Sequence, residues 1–130
     1  MSNIAIYLRS ARENDPAIQR QREACHAYCK AQGWVADIEY VDDGYAGTER
    51  TTRPGYDRLT AAIEAGEVER VIIHDTDRIS RQNSQLLRFI DLTQAHNVEI
   101  HTPRGHFDFM NDGERMFQRI LEGIQRTTKG

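Results

Sequence analysis

Short apolar runs bounded by turn residues alternate with amphipathic stretches along nearly the whole chain, and this alternation most restricts what the chain can become. Asn3 to Arg9 is a first strand rich in Ile. Asp15-Pro16 then supplies a helix cap and a first-turn proline, and Gly33 supplies the stop. A second strand is expected over Val35 to Val41, a helix from Pro54 to Gly66, and a third strand over Val68 to His74, the most β-branched run in the chain. A helix over Asn83 to Ala95, a fourth strand over Val98 to Thr102 and a last helix beginning near Gly113 complete the pattern. Strands separated by helices of this length pair in parallel through right-handed crossovers. The expected fold is therefore α/β, a three-layer sandwich around a central, mostly parallel sheet of about four to five strands. A chain of 130 residues suits one domain spanning 1–130.

Open parallel sheets bind their ligands beyond the carboxyl ends of the strands. That rule selects three stretches: Arg9 to Arg12, Asp42 to Arg53, and Asp75 to Arg81. The middle one, with two glycines and no apolar period, is expected to be a long functional loop. All three carry Arg.

Charge supports anion recognition by geometry rather than by diffuse attraction. The formal net charge is −3, without the strong basic excess typical of nucleic-acid binders, yet all 17 cationic Lys and Arg side chains except Lys30 and Lys129 are Arg. The planar guanidinium fork matches two phosphate oxygens at once. Arg78 and Arg81 stand three apart where a strand turns into a helix, so one turn brings both to one side. Arg9 and Arg53 are placed to converge there. Four such groups would offset the charge that gathers on a phosphorus becoming five-coordinate, with no cofactor or metal required. The alternative is that these arginines are surface residues paired with Asp42, Asp43, Asp75 and Asp77.

The remaining signals are structural. Cys25 and Cys29, four apart on one helix, are expected to be reduced core residues on an apolar stripe with Ile18. His74, His96, His101 and His106 show no evident partner, and His106-Phe107-Asp108 is expected in a loop after the fourth strand. Met116, Phe117, Ile120, Leu121 and Ile124 form an apolar stripe at helical spacing, suited to core packing or to a partner. No apolar run is long enough to span a membrane, and Met1 to Ser10 has no secretory-signal pattern, so a cytoplasmic protein is expected.

Five short motifs, in order, resemble one family, the serine recombinases: resolvases, invertases and large serine integrases. Tyr7-Leu8-Arg9-Ser10-Ala11 is similar to the family's Tyr-x-Arg-x-Ser strand motif, and Ile18, Gln21, Cys25, Tyr28, Gly33 and Trp34 to the helix after it. Asp42-Asp43-Gly44-Tyr45-Ala46-Gly47 resembles its Asp-x-Gly-x-Ser-Gly loop, with Asp42 a better match than Asp43 to the aspartate. Arg53-Pro54-Gly55-Tyr56 resembles Arg-Pro-Gly-Phe, and Asp77-Arg78-Ile79-Ser80-Arg81 resembles Asp-Arg-Leu-Ser-Arg. The resemblance implies a bacterial or phage-encoded, resolvase-like catalytic domain that cleaves and rejoins DNA through a 5′-phosphoserine. In the full-length protein it implies a dimer or tetramer. Arg9, Arg53, Arg78 and Arg81 would clamp the phosphate, Asp77 would orient an arginine or protonate the leaving oxygen, and Gln21 and Asp42 would support the pocket. The family's long oligomerising helix and DNA-reading domain are not expected within these residues.

One departure concerns the chemistry itself. The family's nucleophilic serine falls where this chain has Ala11, which has no hydroxyl to attack phosphorus. Ser10 is adjacent, but successive strand residues point to opposite faces. The chain is then either an engineered nucleophile-to-alanine form or a naturally inactive relative. Two rival readings are a non-catalytic, recombinase-like interaction module and a metal-dependent phosphoryl-transfer domain holding Mg²⁺ through Asp75 and Asp77.

Overall fold

The computed structural model describes residues 3–10, 12, 15–44, 53–79 and 83–107, apart from the side chains of Asp15, Asp77 and Asn83. The elements are β1 (Ile4–Ser10), α1 (Asp15–Gln32), β2 (Ile38–Asp43), α2 (Pro54–Glu64), β3 (Arg70–Ile73), a 3₁₀ turn (Thr76–Arg78), α3 (Asn83–Ala95), β4 (Glu99–Thr102) and β5 (Gly105–Phe107). They form one five-stranded sheet in the order β2-β1-β3-β4-β5, parallel except for β5.

All seven residues of β1 are buried, because strands flank it on both edges and helices cover both faces. Ile4, Ile6 and Leu8 pack with Ile72 against Ile18, Cys25 and Cys29 of α1. The alternate residues Ala5 and Tyr7 join Leu59 and Ile63 of α2 and Leu86, Phe89 and Ile90 of α3. This is the expected three-layer sandwich. The cysteines are free, buried and on the stripe with Ile18.

Helix α1 stops where the sequence says it should. Gly33 adopts φ 79°, and the Gly33 and Trp34 amides bond back to the Lys30 and Cys29 carbonyls. Helix α3 ends in the same way on Asn97, at φ 56°.

Apart from shifts of one or two residues at the ends of other elements, three features differ from expectation. β2 begins at Ile38 instead of Val35: ahead of it the Asp37 carboxylate accepts the Ile4 amide while the Asp37 amide donates to the Ile4 carbonyl, with Val35 80% exposed. It also runs on through Asp42 and Asp43, expected to open the long loop; residues 45–52 of that loop lie outside the described residues. The loop expected around His106 and Phe107 is instead strand β5, paired antiparallel with β4 (Ile100↔Phe107, His101↔His106) through a turn at Pro103-Arg104. A three-residue strand carries no readable period. Asp108, the helix expected near Gly113 and the stripe from Met116 to Ile124 lie outside the described residues.

Candidate functional site

The described parts of the three selected stretches meet at the carboxyl end of the sheet. Register places Arg9 beside Asp42 and Ser10 beside Asp43, and β3 delivers the chain into the 3₁₀ turn alongside. Arg9 Nε donates to the Arg78 carbonyl at 2.8 Å, and Arg78 returns a bond from its guanidinium to the Arg9 carbonyl at 3.3 Å. Arg53 donates to the next carbonyl, that of Ile79, at 2.5 Å. Two arginines from distant stretches therefore grip consecutive peptide groups of the turn that carries the third. Arg9 and Arg53 are 2% and 1% exposed, so neither is the surface residue of the alternative reading.

Arg53 is held on several sides. Its guanidinium lies 4.0 Å above the Tyr56 ring and reaches the Tyr7 hydroxyl at 3.4 Å. Its second terminal nitrogen is buried with no hydrogen-bond partner among the described residues. A buried donor of this kind is costly unless something accepts from it.

Beneath the arginines lies a carboxylate that holds the site together. Asp42, 1% exposed, accepts the Tyr7 hydroxyl at 2.7 Å, the Gly55 amide at 2.7 Å and the Tyr56 amide at 2.9 Å. The last two are unpaired donors of the first turn of α2, whose own N-cap residue, Arg53, makes no side-chain cap bond. Asp42 is thus a cap supplied from another strand. The Tyr7 hydroxyl is raised far above its ordinary range, by burial first and then by its bond to Asp42, so it stays protonated as a donor.

Gln21 on α1 clasps the Arg9 peptide from both sides, its side-chain amide accepting from the nitrogen at 3.2 Å and donating to the oxygen at 2.9 Å. The Ser10 hydroxyl donates to the Arg12 carbonyl. Arg78 Nε lies 3.6 Å from Asp75 Oδ2, which also meets His74 Nδ1 at 3.0 Å; a guanidinium so close weighs against Mg²⁺ at Asp75. Ala11 and Arg81, and the side chain of Asp77, lie outside the described residues.

Sequence reasoning missed Tyr7 as the link between Arg53 and Asp42, although it lies on the same strand as Arg9. It also missed the histidines' partners: His101 bonds Tyr28 and Glu99 and stacks on His106, and His74 bonds Asp75. The Tyr28 and His106 contacts cross between elements, which no local spacing records, whereas Glu99 and Asp75 stand two positions and one position from their histidines.

A mostly parallel sheet covered on both faces, with Arg9, Arg53 and Arg78 gathered at its carboxyl end, defines the class: an open α/β sandwich with a cationic edge where sheets of this type take their ligands. Residues 4–129 match the family described as "Resolvase, N terminal domain", and the chain belongs to that family, the catalytic domains of serine recombinases. A "Putative DNA recombinase" of Bacillus subtilis (strain 168) is 30% identical over 118 residues, covering 88% of this chain but 23% of the relative. Among solved structures, the N-terminal catalytic domain of TP901-1 integrase is 25% identical with a TM-score of 0.78, covering 98% of this chain and 97% of that one. A resolvase family site-specific recombinase from Streptococcus pneumoniae shares the fold at 17% identity and TM-score 0.72 over the full length of both chains. No helix among the described residues is long and apolar enough to cross a membrane.

Proposed function

We propose that this chain is the phosphate-handling domain of a site-specific DNA recombinase, with Arg9, Arg53, Arg78 and Arg81 embracing one DNA phosphodiester and Ala11 standing in the nucleophile's place. The observation that carries this reading is the interlock of Arg9, Arg78 and Arg53 around the 76–79 turn, with a buried Arg53 donor left for an acceptor. Guanidinium groups fixed in advance stabilise charge that grows on the equatorial oxygens without reorganising during the reaction. With a serine at position 11, its oxygen would lose its proton to solvent and bond to phosphorus as the bond to the 3′ oxygen breaks; the leaving 3′ oxygen would gain a proton in turn, Asp77 being the proposed donor, so that protons balance overall. The 5′ phosphate would remain on the serine until a 3′ hydroxyl attacked in reverse. Partner copies would supply the second strand's site, as the resemblance implies.

The test restores the missing oxygen. Ala11→Ser, in a chain extended to include its DNA-reading region and given a cognate site, is expected to yield a covalent protein–DNA adduct at a 5′ phosphate. The same variant carrying Arg78→Ala should give at least about 100-fold less adduct, the scale of losing one stabilising donor. Specific binding with no adduct from Ala11→Ser would favour the second reading, which Ala11 itself supports: a module that binds DNA or protein without cutting it.

A further inference from the structure

At the β5 edge of the sheet, on the face that α1 covers, lies a cluster that the recombinase reading does not use. Glu99 and His101 alternate along β4 and so share one face. His106 is the register partner of His101 on β5, which places it on that face too. One ligand atom from each of the three lies within 4.8 Å of the others. We propose that Glu99, His101 and His106 form a binding site for a zinc-class transition-metal dication.

Two imidazoles and a carboxylate are the donor set that such ions take, whereas Mg²⁺ and Ca²⁺ favour oxygen ligands. The backbone part of the site is already built, because the paired hairpin fixes the three Cα positions. The Tyr28 hydroxyl lies 2.7 Å from His101 Nδ1 and orients the ring, as a partner behind a ligating histidine does. Trp34 packs edge-on against His101 at 5.0 Å and walls that side. His106 is exposed and stacks on His101 at 4.9 Å, which leaves the open side of the site to solvent.

Binding rearranges two bonds. His101 Nε2 meets Glu99 Oε1 at 2.9 Å, so the ring proton moves to Nδ1, where the Tyr28 oxygen accepts it, and the Nε2 lone pair turns to the metal. No net proton is released by that tautomer change. Ligand atoms of a tetrahedral site lie roughly 3.3 Å apart for bonds of about 2.0–2.1 Å. The exposed His106 and half-buried Glu99 side chains therefore close in by up to about 1.5 Å from the 4.8 Å span. Arg70 opposes the ion, its Nε bonding Glu99 Oε1 at 3.0 Å while its guanidinium lies over Trp34 at 4.5 Å. Arg70 lowers the affinity without occupying Oε2.

The experiment is a Co²⁺ titration of the purified chain followed by visible ligand-field absorption, with Zn²⁺ as competitor. A saturable one-to-one band without sulfur-to-metal charge transfer is expected. His106→Gln and Glu99→Gln should each weaken binding at least about tenfold with an unchanged circular dichroism spectrum, and Arg70→Gln should tighten it several-fold. His26→Gln, which alters a separate exposed His–Glu pair, should change nothing. No saturable band, equal affinity in His106→Gln and the parent, or a charge-transfer band placing the ion on Cys25 and Cys29 would each overturn the proposal.

Discussion

Replacing Asp42 with alanine should cost far more than an ordinary change in a loop. The carboxylate accepts three bonds, from the Tyr7 hydroxyl and the Gly55 and Tyr56 amides, in a setting 1% exposed to solvent. Hydrogen bonds to a charged group contribute about 1.5–3 kcal/mol each, so the gross loss is roughly 5–9 kcal/mol. Several kcal/mol return, because the carboxylate's own desolvation cost disappears and water enters to meet the freed amides. The expected net loss is about 3–5 kcal/mol, a large share of the roughly 5–15 kcal/mol that stabilises a typical domain. Tyr7→Phe removes that bond and the weaker 3.4 Å one from Arg53 and leaves the cap of α2 intact, so about 1–2 kcal/mol is expected. The double variant should fall short of the summed losses by a similar amount, since both changes delete the same bond. Urea unfolding, followed by circular dichroism and by the fluorescence of Trp34, measures all three. A loss below about 1 kcal/mol in Asp42→Ala would refute the cross-strand cap, that being the ordinary value of an exposed helix cap.

Gly55→Ala should also destabilise, because a Cβ there would lie 3.0 Å from Oδ1 of the Asp42 carboxylate, which three donors hold in place through its two oxygens; a loss of about 1–3 kcal/mol in the same assay is expected, and a gain in stability would contradict it. The Cys25 thiol is pushed up to about 12, by burial first and then by Cys29, Glu39 and Asp75, which leaves a thiolate fraction on the order of 10⁻⁴ at pH 8. Alkylation of Cys25 should therefore be negligible in the native protein and rapid in urea, and fast native labelling would sink the assignment. Glu39 is held below its ordinary 4.5: burial works against its charge, but hydrogen bonds from His26 and Arg22 outweigh that. A depressed carboxyl stabilises the fold above its unfolded value and loses that contribution as pH falls through the folded one. The stability gap between the parent and Glu39→Gln should thus hold steady above about pH 5 and close below the ordinary carboxylate range, and a gap unaffected by acid would contradict the pairing.

The chain's one-dimensional pattern settled the layered architecture, because the periods that distinguish strand from helix are local and repeat along the chain. Asp15-Pro16 and Gly33 bracketed α1 for the same reason: a cap or a left-handed stop acts within a few residues of itself. The rule that ligands sit beyond parallel strand ends also located the arginines, since topology alone determines where those ends lie. Tertiary structure decided which contact each residue makes. Asp42 caps a helix that starts twelve positions later, Tyr7 joins that carboxylate to Arg53, and His101 finds Tyr28 across the sheet, all through contacts made only once the chain has closed on itself. A three-residue strand such as β5 exists only because β4 lies beside it to accept its pairing. Periodicity reports which way a side chain points; the identity of its neighbour depends on segments far away in sequence.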